Sequence, residues 1–229
     1  MKTHRPKTMP AHAQICLQSL AESGLGNRIS LGGAFGLMHY FEYRSTFDVD
    51  AWWHPDATNR ERQRVVTVLE ATLQPFGSVR TRSWGDVVSV ELRTGARKAF
   101  SFQIAQRSAQ LEPPTSSPWA DICLDSFPDL VANKMVALVE RGAPRDLLDI
   151  YTLCQENLVT AAQCWQLWRR RQTLAGSDAE STRARLAIQT HLARLEQHRP
   201  LASIADANAR ASAQRVRTWF KAEFVDALT

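Results

Sequence analysis

The sequence predicts an α+β protein of two lobes, a mixed-sheet lobe over residues 1–118 followed by an all-helical lobe over 119–229. Three observations predict it. Between residues 27 and 105, short apolar or alternating runs are interleaved with helical patterns, which is the mixture of periods expected of strands and helices in one domain. Residues 111–118, Leu-Glu-Pro-Pro-Thr-Ser-Ser-Pro, are rigid, polar and expected to be strandless, so they read as a connector. From residue 126 onward the apolar residues recur at helical spacing, and 229 residues are enough for two small lobes.

Taken in order, residues 11–25 read as a helix with Cys16, Leu17, Leu20 and Ala21 on one face, ended by Gly24 and Gly26. Ile29-Ser30-Leu31 is a short strand running into Gly32-Gly33. An aromatic-rich helical run over 34–43 follows, then Arg44-Ser45-Thr46-Phe47 and the alternating Asp48-Val49-Asp50-Ala51-Trp52-Trp53. Residues two apart in a strand point to one side, so Asp48 and Asp50 place two carboxylates together at the end of a sheet. Two like charges held that close call for a cation. Ligation by oxygen alone favours a hard ion such as Mg2+, which keeps several waters and is completed by substrate phosphates. The glycine pair fits the same chemistry, because a turn without Cβ atoms lets backbone N–H groups approach phosphate oxygens at a helix start. Taken singly, a Gly-Gly pair is also a tight turn, and Asp-x-Asp is also a solvated strand end. The fourteen residues between Gly33 and Asp48 hold one helix that returns both motifs to the same sheet edge.

Asp56-Ala57-Thr58-Asn59 supplies helix-start chemistry, and Val65, Val66, Leu69, Thr72 and Leu73 keep helical spacing until Pro75 and Gly77. Strands are expected over 78–83, 87–93 and 99–105, with Arg-Thr-Gly-Ala at 93–96 turning between the last two. A helix opens at Ser126-Phe127-Pro128-Asp129 with Ser126 as its cap. Its apolar stripe of Phe127, Val131 and Leu138 contains Lys134, with Arg141 close to the same line. That lysine either snorkels, its stem covering apolar surface, or faces a triphosphate across a cleft. Gly142 ends the helix, and Pro144 begins another that carries Arg145, Asp146 and Asp149. An Asp in a first turn is favoured by the helix dipole, and Arg145 with Asp149 also reads as an ordinary i, i+4 ion pair.

Further helices are expected over 160–174, 179–197 and 212–228. Trp165 and Trp168, and the stripe of Val216, Trp219, Phe220, Phe224 and Ala227, read as core. Arg169, Arg170 and Arg171 are candidates for RNA phosphate contacts.

The net charge of +5 arises entirely beyond residue 156, where 11 Lys and Arg face 6 Asp and Glu; the first 156 residues hold 17 of each. That asymmetry fits either a polyanionic partner or a solvated arginine-rich surface. The four cysteines, Cys16, Cys123, Cys154 and Cys164, have no Cys-x-x-Cys spacing and read as reduced core residues. No apolar run is long enough to span a membrane, and the basic start lacks the apolar segment of a signal peptide, so a cytoplasmic protein is expected.

Gly32-Gly33 followed by Arg44-x-Thr46-x-Asp48-x-Asp50 resembles the signature of the DNA polymerase beta-like nucleotidyltransferases. Lys134-x-x-Ala137-Leu138-x-x-Arg141-Gly142-Ala143-x-Arg145-Asp146-x-x-Asp149-x-Tyr151-x-Leu153 is similar to the second block of one of their families, the AbiEii/AbiGii (MenT-like) toxins. The two blocks and the strands between them span residues 27–156. This resemblance implies an Mg2+-dependent nucleotidyltransferase, the toxin half of a type IV-like toxin–antitoxin pair with a cognate antitoxin. Such an enzyme transfers a nucleoside monophosphate from an NTP to an acceptor, which in some members is the 3′ end of tRNA. It implies Mg2+ on Asp48 and Asp50, and NTP phosphates near Gly32, Gly33, Arg44, Thr46 and Lys134. Asp146 would orient or activate the acceptor hydroxyl, with Asp149 in support. A third carboxylate is usual on the last strand of this fold, and its position falls at the neutral Gln103. Glu91 substitutes for it only if its side chain shares that edge. The departure motivates a second reading, a nucleotide- or RNA-binding protein of the same fold that does not catalyse. His39 and His54 flank the site in sequence and carry no assigned role.

Overall fold

In the computed structural model, which describes residues 1–227, the N-terminal half of the chain builds a seven-stranded mixed sheet. Its elements are α1 (Ala11–Glu22), β1 (Ile29–Leu31), α2 (Gly33–Met38), β2 (Asp48–Trp53), α3 (Asn59–Leu73), β3 (Ser78–Trp84), β4 (Val87–Thr94), β5 (Arg97–Ala105), β6 (Thr115–Ser116) and β7 (Cys123–Leu124). The strand order is β3-β4-β5-β2-β1-β7-β6. Strand β2 runs parallel to β5 and antiparallel to β1, while β1 runs parallel to β7. Two-residue turns close the β3-β4-β5 meander, each with a glycine in the left-handed region that such hairpins require: Gly85 at φ +51 and Gly95 at φ +62.

Alternation along the strands gives the sheet two unlike faces. Val49 and Ala51 of β2 lie in register with Phe102 and Ile104 of β5, Trp53 with Ile29 of β1, and Val90 and Leu92 of β4 continue that apolar face. Helix α3 packs over it. Thr58 and Glu61 form a capping box at its start, and Val65, Leu69 and Leu73, one helical turn apart, are completely buried. Helix α1 lies beside α3, burying Cys16, Leu17 and Leu20, and His12 sits 5.8 Å from the Phe100 ring. Each of these fully buried leucines contributes about 1.5–3 kcal/mol. The opposite face is polar and carries Asp48, Asp50, Ser101, Gln103, Ser89 and Glu91.

The chain divides into two units, Met1–Ser108 with Glu112–Leu130, and Ala109–Leu111 with the chain from Val131 onward. The division falls inside α4 (Phe127–Glu140), whose Asp129 N–H donates to the Ser126 hydroxyl at 3.2 Å. The second unit holds the rest of α4, then α5 (Pro144–Gln155), α6 (Ala161–Leu174), α7 (Ser181–His198) and α8 (Ala207–Trp219). Its core gathers Leu153, Trp165, Trp168, Ile188, Phe220 and Phe224, all almost inaccessible. Gly142 at φ +54 ends α4 against α7, where an added Cβ would lie 2.3 Å from the His191 ring.

Four sequence expectations change. The helix over 34–43 stops at Met38, because the Glu42 carboxylate turns back to accept the N–H groups of Lys7 and Thr8 at 2.9 and 2.6 Å. The connector over 111–118 is not strandless: just after Pro113-Pro114, Thr115–Ser116 pairs with β7 and edges the sheet. The last helix starts earlier than 212, capped by Asp206, and after Trp219 it widens into a π turn over Phe220–Phe224. Val225 donates back to Phe220 across that wide turn, and the Phe224 carbonyl accepts both the Trp165 indole N–H at 3.1 Å and the Ala227 N–H at 3.3 Å. Leu228, the end of the predicted helix, lies outside the described residues. Finally, the arginine run is only partly a surface. Arg171 is buried and donates to the Asn133 side chain at 2.7 Å, and Arg170 donates to the Leu111 carbonyl.

Candidate active site

In the first unit the site grows out of β2. Asp48 is in register with Ser101 and Asp50 with Gln103, so four oxygen-bearing side chains occupy one square of the polar face. One oxygen of the Asp48 carboxylate, Oδ1, accepts the Ser101 hydroxyl at 2.7 Å, and the Lys98 ammonium stands 3.4 Å from the same oxygen. The ammonium also donates to the Ser101 hydroxyl at 3.2 Å. Asp50 faces the glycine turn. Gly33 holds φ +58, and a Cβ there would come within 2.3 Å of Asp50 Oδ2. Any other residue at Gly33 is therefore excluded by both backbone and space. Gly32 donates its N–H to the Asp50 carbonyl at 2.8 Å, and a Cβ on it would lie 2.6 Å from the Trp52 indole nitrogen. The turn is thus seated on the acidic strand. Since the Gly32 N–H is engaged, backbone donors to a phosphate here would have to come from the first turn of α2, from Gly33 on.

Thr46 and Arg44 precede the strand. The Asp48 N–H donates to the Thr46 hydroxyl at 3.4 Å, a local bond that fixes entry into β2, and Arg44 lies 5.8 Å from the Tyr43 ring. Glu91 does share the polar face, being in register with Ser101. It stands on β4, however, two strand steps or about 10 Å from β2, with Arg82 and Arg93 at 3.7 and 3.9 Å.

The second unit holds the other predicted residues in a buried charge cluster. Lys134, 7 % exposed, places its ammonium 2.6 Å from Asp149 and 4.0 Å from Asp146. Both oxygens of Asp146 accept from Arg141, at 2.8 and 3.0 Å. Neither aspartate is exposed at all. The partner of Asp149 is therefore Lys134, from the preceding helix, and Arg145 points its exposed side chain elsewhere. A snorkelling lysine would put its ammonium in water; this one is enclosed. A carboxylate held by both arms of a guanidinium serves to orient that guanidinium and is poorly placed to take a proton.

A family model described as nucleotidyl transferase AbiEii toxin, type IV TA system, matches residues 15–222. The chain belongs to the AbiEii toxin family. Membership makes it nucleotidyltransferase-like, with a nucleotide substrate and an antitoxin partner implied. Among solved structures, an antigenic nucleotidyltransferase-like protein from Paracoccidioides brasiliensis is 14 % identical, covering 89 % of this chain and 91 % of that one, with a TM-score of 0.41. No curated protein matches. No helix among the described residues is long and apolar enough to cross a membrane.

This AbiEii chain has no group of three His, Cys, Asp or Glu side chains suited to a metal among the described residues. Two aspartates with an amide in the third position still fit Mg2+, which binds through one or two carboxylates and takes its other oxygens from water and phosphate. The sequence reading did not find Lys98 and Ser101 on Asp48. Ser101 was accessible to it, since it lies two residues before Gln103 on a predicted strand and so shares its face; Lys98 was not, because a bulge between Leu92 and Arg93 shifts the register.

It also missed a second buried cluster beside the site. Asp125, just beyond β7, accepts from Ser30 and Arg107, both at 2.5 Å, and Arg107 lies 5.7 Å from the Trp52 ring. Burial pushes the Asp125 carboxyl up to about 6, although Arg107 and Ser30 pull it the other way. His39 is structural. Its Nδ1 donates to the Phe35 carbonyl at 3.0 Å, and its Nε2 accepts the Trp119 indole N–H at 3.0 Å, which fixes a neutral ring. Burial lowers its pKa to about 4. The unfolded ring takes a proton near pH 6.5 while the folded one resists until about 4, so this contribution is complete above 6.5 and is lost as pH falls to 4. Denaturant unfolding should show the stability gap between wild type and His39→Gln shrinking by about 3 kcal/mol between pH 7 and 4. A pH-independent gap would refute the neutral-ring assignment.

Proposed function

We propose that the protein transfers a nucleoside monophosphate from an NTP to the hydroxyl at an RNA 3′ end, tRNA being the favoured acceptor, and that it does so with Mg2+. The observation that carries this reading is the square formed by Asp48, Asp50, Ser101 and Gln103, with the Gly32-Gly33 turn packed onto it. Asp48 and Asp50 hold the metal, which when bound offsets the negative charge of the triphosphate and its leaving group. Thr46 and Arg44 flank the phosphate side, and the first-turn amides of α2 supply N–H donors to it. The acceptor oxygen forms its bond to the α-phosphorus as the bond to the β-phosphate oxygen breaks, pyrophosphate leaves in line, and the acceptor proton passes to solvent. Within the second unit, Asp149 sets the position of the Lys134 ammonium, and Asp146 sets that of the Arg141 guanidinium. The second reading, a binder that does not catalyse, keeps the same residues and loses only the transfer; Gln103 in the third position is the observation that favours it.

Incubation with each α-labelled NTP, Mg2+ and total RNA tests the reading, with label expected in an RNA band. A folded sample that binds Mg-NTP yet labels no RNA and releases no pyrophosphate would favour the second reading. Glu91→Gln is expected to keep transfer within about threefold, because Glu91 is two strands from the acidic pair and held between arginines. A loss of a hundredfold would make Glu91 the missing third carboxylate.

A further inference from the structure

Four cations share the polar face of the sheet with the acidic pair, and the proposed function uses none of them. Arg80 and Arg82 on β3 stand in register with Glu91 and Ser89, which are themselves in register with Ser101 and Gln103. Arg93 on β4 pairs with Lys98 on β5, and Lys98 reaches Asp48. All four therefore lie on the Asp48 side of one sheet. The side chains of Arg82, Arg93 and Lys98 are 43 %, 30 % and 42 % exposed. Arg80 is exposed too and has no hydrogen bond or ion pair among the described residues. The single acid on this part of the face, Glu91, lies beyond hydrogen-bond distance of both Arg82 and Arg93. Three strand steps, about 14 Å, separate Arg80 and Arg82 from β2, and about 7 Å separates the two arginines along β3.

Charged residues on an edge strand often serve only to prevent strands of other molecules from pairing there. Edge protection accounts for Arg80 and Arg82, but Arg93 and Lys98 sit on interior strands. The cations instead form a strip that begins at the sheet edge and ends at Asp48. We propose that this strip is the track for the RNA acceptor: phosphates lie along Arg80, Arg82 and Arg93, and the 3′ end reaches the acidic pair past Lys98. The proposal rests on the transferase reading for the identity of the polyanion, and charge complementarity supplies its position. An acidic protein segment is the less fitting occupant, because it would gain most by pairing with the open backbone of β3, away from the face.

The test is fluorescence anisotropy with a labelled RNA hairpin bearing a single-stranded 3′ end, titrated at several salt concentrations. The Arg80→Gln/Arg82→Gln double variant should bind at least about tenfold more weakly at low salt, with the slope of log affinity against log salt reduced by about 1.4, the share of two phosphate contacts on a single strand. Arg80→Lys/Arg82→Lys should retain most of the affinity, which guards against loss through misfolding. Arg60→Gln/Arg64→Gln on α3 should match wild type, as should the affinity of every variant for a fluorescent Mg-NTP. Unchanged RNA affinity in the β3 variant, a loss confined to the α3 variant, or no RNA binding by wild type would each overturn the track. Weaker binding by the β3 variant, with no label transferred by wild type, would leave the track standing and remove the transferase reading.

Discussion

Asn in place of Asp48 or Asp50 is expected to reduce label transfer by at least about a hundredfold, the loss seen when one group that stabilises developing charge is removed. The fold should survive. Asp50 is exposed and Asp48 half-buried, and each substitution relieves repulsion between two carboxylates on adjacent same-face positions. The thermal midpoint should therefore hold or rise slightly. The two variants differ in one respect: Asp48→Asn also loosens the hold on Lys98 and Ser101, whereas Asp50→Asn loosens the seat of Gly33. Binding of Mn2+, followed by its paramagnetic signal, should weaken in both. Full transfer activity in both variants would remove the metal assignment.

The second large effect is on stability. Lys134→Met should cost about 3–5 kcal/mol, because it strands the buried Asp149 carboxylate without its ammonium partner. Adding Asp149→Leu should restore most of that loss, since an apolar pair of similar volume is close to neutral in such a place. The double variant then separates the two roles of the lysine. A stable double variant that no longer transfers label marks Lys134 as a group required in the reaction, and a stable, active one reduces the cluster to a structural ion pair. Denaturant unfolding of the two variants, with label transfer measured on the double variant, distinguishes the outcomes.

The acidic strand was legible because alternation alone puts Asp48 and Asp50 on one face, and the position of Gln103 followed from counting along a strand of clear period. The packing of Gly33 against Asp50 was not legible. It depends on where α2 begins relative to β2, and the glycine pair by itself fixes no such distance. In the second block, the residue pattern announced a cluster but left its pairs open. Arg145 and Asp149 have the spacing of an ion pair within one helix, yet burial selects Lys134 from the neighbouring helix, and no local period carries that information. Arg171 illustrates the same limit from the other side. It stands in a run of three arginines that looks like surface, and only the packing of α6 sends it inward to Asn133.

The parallel pairing of β2 with β5 bears on when the acidic face comes into being. Strands β3, β4 and β5 find one another across two-residue turns, in the microseconds typical of hairpins. Strand β2 must wait for a partner whose residues lie 53 positions later in the chain, Asp48 opposite Ser101 and Asp50 opposite Gln103. Closing so long a loop has a cost in entropy that local pairs do not meet, so this contact belongs to the late part of folding. On a ribosome the order is stricter still: Asp48 and Asp50 emerge long before the strand that completes their square. Until residue 105 has emerged, a growing chain therefore carries the two aspartates without the strand that completes their face.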